Sequence, residues 1–273
     1  MVLLYLLKDR PEIELQVAHY NHGIRGDSDK DEKLVLATAK KYRLAVEVER
    51  GKLGPKTSEA AARRARYGFL DRVKRKHQAD SIITAHHQDD LLETALLNIL
   101  RGTGRRGLSA ISDNPDVIRP LLHIPKKRIM AYAAQNKIKW REDLTNREDA
   151  YLRNYIRNQI LINLTSAQRV KLLKNIEKVA KSNKGIDQII ATISHKFMID
   201  GEIDREVFIG LPPQVANELI MYWLRQENFE AYDKPMVERL SLAIKTARSK
   251  TRHKISGNFE MVVGRKSAHF ERK

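Results

Sequence analysis

The chain has 273 residues, 42% hydrophobic and 31% charged, with a formal net charge of +17, which suits one large or two smaller domains with a well-solvated surface. It has no cysteine, which excludes disulfides, thiolate metal sites and cysteine nucleophiles and fits a reducing cytoplasm. No stretch approaches the roughly 18–20 apolar residues that cross a bilayer, so no membrane partner is expected.

Residues 1–7 (MVLLYLL) form an apolar run with no basic residue before it and no small-residue cleavage site after it, so it reads as a helix fragment and not a signal peptide. Residues 14–19 read as a strand ending at Asn21-His22-Gly23, and residues 27–43 as a helix. Residues 44–49 (LAVEVE) alternate with period two, as a strand should. Residues 57–76 read as a helix with Thr57 as cap, Glu59 in the first turn and a run of alanines of high helix propensity. A short apolar strand follows at 81–85, then a helix at 89–101 ended by Gly102 and Gly104, a strand at 117–122 and a helix at 126–136. Strands alternating with helices of about 10–20 residues predict parallel βαβ units, with ligands at the carboxyl ends of the strands.

After residue 150 the spacing becomes helical at 152–164, 167–181 and 186–200, after Pro212-Pro213, and at 235–247, with one short strand at 203–208. The predicted fold is therefore α/β, an open parallel sheet flanked by helices over residues 1–155, followed by a smaller, mainly α-helical domain over 156–273. Of the net charge, +9 falls after residue 150 and +8 before it. Both parts are basic, which points to a polyanion lying across the whole molecule.

Five segments could carry chemistry. HHQDDLLET (86–94) follows an apolar strand and opens a helix. Asp89 and Asp90 lie four and three residues before Glu93, so each pair shares a helix face. The helix N-terminus favours their ionised form, which makes a receptor for an ammonium group or a metal; plain helix capping accounts for one acid only. NHGIRGDSD (21–29) offers a turn, an arginine and a helix cap. SEAAARRARY (58–67) puts Arg63 and Tyr67 on one face beside Arg66, suited to phosphate or to simple solvation. LRGTGRRGL (100–108) joins glycines to three arginines, as phosphates prefer, without the spacing of a Walker loop. YLRNYIRNQI (151–160) places Arg153 and Arg157 on one face near the predicted boundary, facing RNA or an adenylate. Beyond these, the basic run KTARSKTRHK (245–254), with Lys245, Arg248, Lys250, Arg252 and Lys254, suits phosphate-backbone contact or a mobile loop.

In this order the segments resemble the tRNA(Ile)-lysidine synthetases, a branch of the PP-loop ATP pyrophosphatases. The matching text is HYNHGIR at 19–25, SEAAARRARY at 58–67, TAHHQDDLLETALLNILRGTGRRGL at 84–108, IRPLL at 118–122, EDLTN at 142–146 and LRNYIRNQIL at 152–161. It covers roughly residues 1–164. The resemblance implies an enzyme, a ligase that uses ATP with Mg2+ to adenylate C2 of the wobble cytosine of tRNA(Ile) with a CAU anticodon. The ε-amine of free L-lysine then displaces AMP to give lysidine. By motif position, Asp90 and Glu93 would recognise the lysine. His19, Asn21, Arg25 and His86 would lie near the ATP, Arg63, Arg101 and Arg153 would contact phosphates or the adenylated base, and Arg157 and the 245–254 run would meet the tRNA. No metal ligand is assigned, and a homodimer is compatible with this reading.

One departure matters. The family's Ser-Gly-Gly-x-Asp-Ser pyrophosphate loop is absent from this text, and residues 1–4 look like the helix that follows it. Losing the strand before that loop should cost several kcal/mol, at roughly 1.5–3 kcal/mol per large apolar side chain. The expectation is an N-terminal truncation, completion by a separate segment, or a degenerate homologue. Two alternatives to the ligase stand: a non-catalytic RNA-binding homologue, and a metallohydrolase using His86, His87, Asp89 and Asp90.

Overall fold

The computed structural model describes residues 1–23, 27–51, 54, 57–108, 117–141, 152–229 and 232–272. The chain divides into two compact units, Met1–Leu100 with Ala110–Leu173, and Arg101–Ser109 with Lys174–Lys273.

The first unit follows the α/β order. Its elements are α1 (Val2–Leu7), β1 (Gln16–Asn21), α2 (Ser28–Lys41), β2 (Ala45–Arg50), α3 (Glu59–Lys76), β3 (Ile82–Ile83), α4 (Gln88–Leu100), β4 (Val117–Ile118), α5 (Lys126–Gln135), α6 (Leu152–Tyr155) and the start of α7 (Ser166–Ser194). β1 runs parallel to β2, from Gln16 opposite Ala45 to Asn21 opposite Arg50. β3 runs parallel to β4, with Ile82 opposite Val117. α3 packs against both β1 and β3. Among the described residues, no strand pairing joins one pair to the other.

Local chemistry explains most boundaries. Ser58, and not Thr57, caps α3, its hydroxyl accepting from Ala61 N at 3.2 Å. In α4, Leu91, Leu92, Ala95 and Leu97 are buried and fix which face the helix turns inward. The helical stretch predicted at 152–164 changes type along its length: α6, then a π turn at Ile156–Ile160, then a 3-10 turn at Leu161–Asn163. Ile156 and Leu161, at the two ends of the π turn, are buried and anchor it.

The second unit holds the rest of α7, β5 (Met198–Ile199), β6 (Glu202–Asp204), α8 (Arg205–Ile209), α9 (Pro213–Gln226), α10 (Lys234–Thr246), β7 (Thr251–Ser256), β8 (Phe259–Val263) and β9 (Ser267–Arg272). Its strands form one antiparallel sheet in the order β5-β6-β9-β8-β7. Leu219, Ile220 and Leu224 of α9 and Leu240 and Ile244 of α10 share a fully buried core with Met261 and Val263 of β8.

Three local expectations are corrected here. The helices predicted at 167–181 and 186–200 are one helix of 29 residues. Gly185 in its interior costs only about 1 kcal/mol, and the Asn183 amide two residues earlier is fastened to Arg105 O at 2.9 Å. The strand predicted at 203–208 stops at Asp204, whose carboxylate caps α8 by accepting from Glu206 N and Val207 N. The basic run at 245–254 is not a loop throughout: it leaves α10 and enters β7. No helix among the described residues is long and apolar enough to cross a membrane.

Candidate active site

The carboxyl ends of β1 and β2 are built on close backbone approach. Gly23 has φ +67°, and a Cβ there would meet Gly51 O at 2.8 Å. A Cβ on Gly51 would press on the Tyr20 hydroxyl, and at Gly23 the positive φ together with the Gly51 carbonyl favours glycine. Asn21, 3% exposed, organises the turn. Its Nδ2 donates to Glu32 at 2.8 Å and Asp29 at 3.2 Å, and its Oδ1 accepts from Gly23 N at 3.0 Å. Glu32 is held in turn by Arg50, whose Nε and Nη2 each donate at 3.0 Å. Asn21, expected beside the nucleotide, thus has its amide engaged in shaping the turn. His19, on the same strand, keeps a buried Nε2 with no hydrogen-bond partner among the described residues, and burial lowers its pKa. Arg25 and the EDLTN segment lie outside the described residues.

The second part of the site is the entry to α4. Thr84 N donates to Ile118 O at 3.0 Å and Gln88 N to Ile124 O at 3.1 Å, which ties the exit of β3 to the exit of β4. Asp90, at the third helical position, reaches back to accept from His87 N at 2.8 Å. That is the acidic half of a capping box. His87 Nδ1 lies 3.3 Å from the same oxygen. Asp89 pairs with Arg169 Nη1 at 3.0 Å. Glu93 is 1% exposed and accepts from Arg157 Nε at 2.7 Å and Nη2 at 2.8 Å. The three acids therefore diverge to three partners. Among the described residues no group of three or more His, Asp or Glu side chains gathers as a metal set.

The helix N-terminus does not decide the ionisation of Glu93. Burial pushes its carboxyl above the ordinary range, against the opposing bonds from Arg157. Glu93 is the sixth residue of α4, beyond the first turn in which the helix dipole acts, so desolvation wins.

His86 stands between β3 and α4. Its Nδ1 is 2.7 Å from Thr84 Oγ1. Burial above all lowers its pKa to about 4; the charge of Asp90 opposes this, and the positive fields of Arg119, Arg66 and Arg63 add to it. The imidazole is neutral at pH 7 and can donate or accept without bringing charge. Arg63 and Arg66 lie over the Tyr67 ring, at 4.7 and 5.7 Å from its centroid. Tyr67 Oη and Arg119 Nε are buried with no hydrogen-bond partner among the described residues. Three arginines, with the unmatched Tyr67 Oη and Arg119 Nε among them, fit a nucleoside triphosphate in charge and in hydrogen-bonding capacity. Arg119 has no assigned role in the sequence reading; its signal there is its place in IRPLL, directly after β4. Arg169 gives no such signal, because only the fold brings it to Asp89.

The remaining candidates are dispersed. Arg153 stands on α6, one turn before Arg157, and its charge reaches Glu93. Arg101 is exposed and belongs to the second unit. Arg105 and Arg106 of the same stretch are bound to Asp187, and Arg105 also to Glu218. Lys245 donates to Leu211 O. Arg248, Lys250, Arg252 and Lys254 are exposed, and Arg252 is offset by Glu260 and Glu271.

Residues 1–164 match the family described as PP-loop domain. The chain is 38% identical over 169 residues to a tRNA(Ile)-lysidine synthase of Clostridium tetani, covering 58% of this chain and 36% of that protein. It is 31% identical over 245 residues to a tRNA(Ile)-lysidine synthase of Methylococcus capsulatus, covering 84% and 55%. The chain thus spans about a third to just over half of the length of these relatives. Among solved structures it is similar to the U34-tRNA thiolase NcsA of Methanococcus maripaludis, with TM-score 0.51 and 17% identity over 66% of this chain and 68% of that one. At that identity the likeness concerns the fold, and it agrees with the parallel sheet and flanking helices of the first unit. Fold, motif order and family match converge: this chain belongs to the PP-loop family.

Proposed function

We propose that the chain carries the ATP-using, tRNA-modifying unit of a lysidine-forming ligase, joining L-lysine to the wobble cytidine of tRNA(Ile) with a CAU anticodon. The observation that supports this most is the pairing of opposites at the carboxyl ends of the strands. Asp90 and Glu93 stand on α4, and Arg63, Arg66 and Arg119 gather their charge on a neutral His86 one turn away. The acids suit an ammonium group, and the arginines suit phosphates. ATP would supply the activation of the cytosine as an adenylate. Arg63, Arg66 and Arg119 would hold the phosphates, Arg153 would add positive field nearby, and His86 would offer a neutral hydrogen-bonding group. Mg2+ is kept as a partner of the triphosphate, with no chain residue assigned to it. The exposed cations Arg248, Lys250 and Lys254 would meet tRNA backbone.

The test is transfer of labelled lysine to a tRNA(Ile) transcript by the full gene product. Transfer should require ATP and be abolished by a wobble C-to-U change. No incorporation under these conditions would sink the proposal.

A second reading rests on a different observation. β1–β2 and β3–β4 are separate pairs under the same helix α3. Activity would then need an added segment bearing the Ser-Gly-Gly-x-Asp-Ser loop, and residues 1–273 by themselves would bind tRNA without ATP. Tight ATP binding by residues 1–273 alone would count against it.

A further inference from the structure

Arg157 reads in the sequence as an RNA contact and Glu93 as a lysine contact, yet the structure joins them to each other. Both guanidinium arms that Arg157 turns to Glu93 are in bonding range, at 2.7 and 2.8 Å, one to each carboxylate oxygen. Glu93 is 1% exposed, and the Arg157 side chain 27%. Arg157 stands in the π turn Ile156–Ile160, which packs against α4. π turns inside helices occur often at functional sites.

The other acids of α4 behave differently. Asp89 is neutralised by Arg169 at 3.0 Å. Asp90 Oδ2 accepts from His87 N, with His87 Nδ1 3.3 Å away, and the Asp90 side chain is 20% exposed. A free ammonium approaching Glu93 would meet the charge of Arg157 first. At Asp90 it meets a carboxylate that, among the described residues, accepts no arginine hydrogen bond and has only its Oδ2 engaged, by His87 N, although the charge of Arg157 reaches it.

We propose that Arg157 is a positioning residue for amine recognition: it locks Glu93 behind Asp90 and leaves the co-substrate's cation to Asp90, and it does not contact RNA. This rests on the ligase reading above. Glu93 then supplies negative field from behind, and its ionised state depends on Arg157, because burial pushes its carboxyl up and the guanidinium opposes that push.

The experiment uses the full gene product with Arg157→Gln, Arg157→Lys, Glu93→Gln and Asp90→Asn, measuring KM for lysine against pH and the Kd for tRNA against salt. R157Q should raise the lysine KM by about tenfold. The effect should grow as pH falls, because burial pushes the Glu93 carboxyl up and the variant no longer opposes that push. The tRNA Kd and its salt slope should stay as in the parent. R157K returns the charge without the fork and should recover part of the KM. E93Q placed on R157Q should flatten the pH dependence, which a purely structural role would not do. D90N should raise the lysine KM at every pH. If R157Q does not fold, R157K carries the comparison with a smaller KM rise and the same unchanged tRNA slope. An unchanged lysine KM, with tRNA binding weakened and its salt slope reduced by about one, would overturn the inference alone. Absence of lysine transfer by the parent protein would overturn the ligase reading and this inference with it.

Discussion

Arg105→Ala should destabilise the second unit by about 2–4 kcal/mol. In the sequence, Arg105 belongs to a glycine- and arginine-rich stretch that suits phosphate. In the structure its guanidinium donates to Glu218 from Nε at 2.8 Å and from Nη2 at 2.7 Å, to Asp187 at 2.6 Å, and to Asn183 Oδ1 at 3.2 Å. The Arg105 side chain is 19% exposed and that of Glu218 20%, so truncation strands a half-buried carboxylate. A charged bond of this kind is worth about 1.5–3 kcal/mol. Asp187 keeps Arg106 and is more exposed, so its share is under about 1 kcal/mol. The chain has two tryptophans, Trp140 and Trp223; Trp223 is buried in the second unit and Trp140 is exposed. In a Trp140→Phe background, Trp223 fluorescence therefore reports that unit alone. With a urea slope of about 2 kcal/mol/M, the midpoint should fall by about 1–2 M. A midpoint within about 0.2 M of the parent, together with weakened ATP or tRNA binding, would refute the structural assignment and return Arg105 to the phosphate-binding set.

Three further outcomes are expected. Gly51→Ala should lower stability by about 1–3 kcal/mol, because its Cβ meets the Tyr20 hydroxyl; partial recovery on adding Tyr20→Phe in thermal melts would identify the clash, and no recovery would argue against it. Glu32→Gln should cost stability at neutral pH only. Arg50 and Asn21 hold the Glu32 carboxyl below its ordinary value of 4.5, so its contribution is full above that value and is lost as pH falls through the folded one; a parent-to-variant difference in Tm that does not shrink as pH falls below 4.5 would contradict this. His86 should stay neutral in NMR titrations down to about pH 4. Since its folded pKa is depressed from 6.5, it favours the folded state fully above pH 6.5 and loses that contribution as pH falls from there towards 4. His86→Asn should remove that part of the pH slope, and a ring titrating near 6.5 would refute the buried, arginine-flanked setting.

The first unit was legible because its elements are set locally: the period-two run at 44–49, the alanine-rich stretch before Tyr67 and the apolar pair at 82–83 each fix an element with little tertiary help. The motif order fixed the family for the same reason. The partners of the site were not legible. Nothing in the spacing of Arg157 says that it turns to Glu93, 64 residues away in the chain, because that contact depends on a π turn whose residues look like ordinary helix. β7 to β9 were hidden as well. In β7 only Ile255 is buried, so the basic residues dominate its pattern and read as loop. The spacing divided α7 into two helices, and the bond from Asn183 to Arg105 is what the sequence could not show.

The separation of the strand pairs links fold and chemistry in one further prediction. β1 has six residues and is paired on one edge by β2, so alternate residues turn their N–H and C=O groups to the other edge. A backbone group left buried without a partner costs about 1–3 kcal/mol. β3 faces the same helix and poses the same problem. On the second reading proposed above, a strand added between them would satisfy both edges and carry the Ser-Gly-Gly-x-Asp-Ser loop at its carboxyl end. Stability and nucleotide binding should therefore be gained together when a strand followed by Ser-Gly-Gly-x-Asp-Ser is fused ahead of residue 1. A rise in Tm without ATP binding would show that the sheet is completed and the loop misplaced. ATP binding without a rise in Tm would refute the coupling, because the loop would then be held by something other than the strand that satisfies these edges.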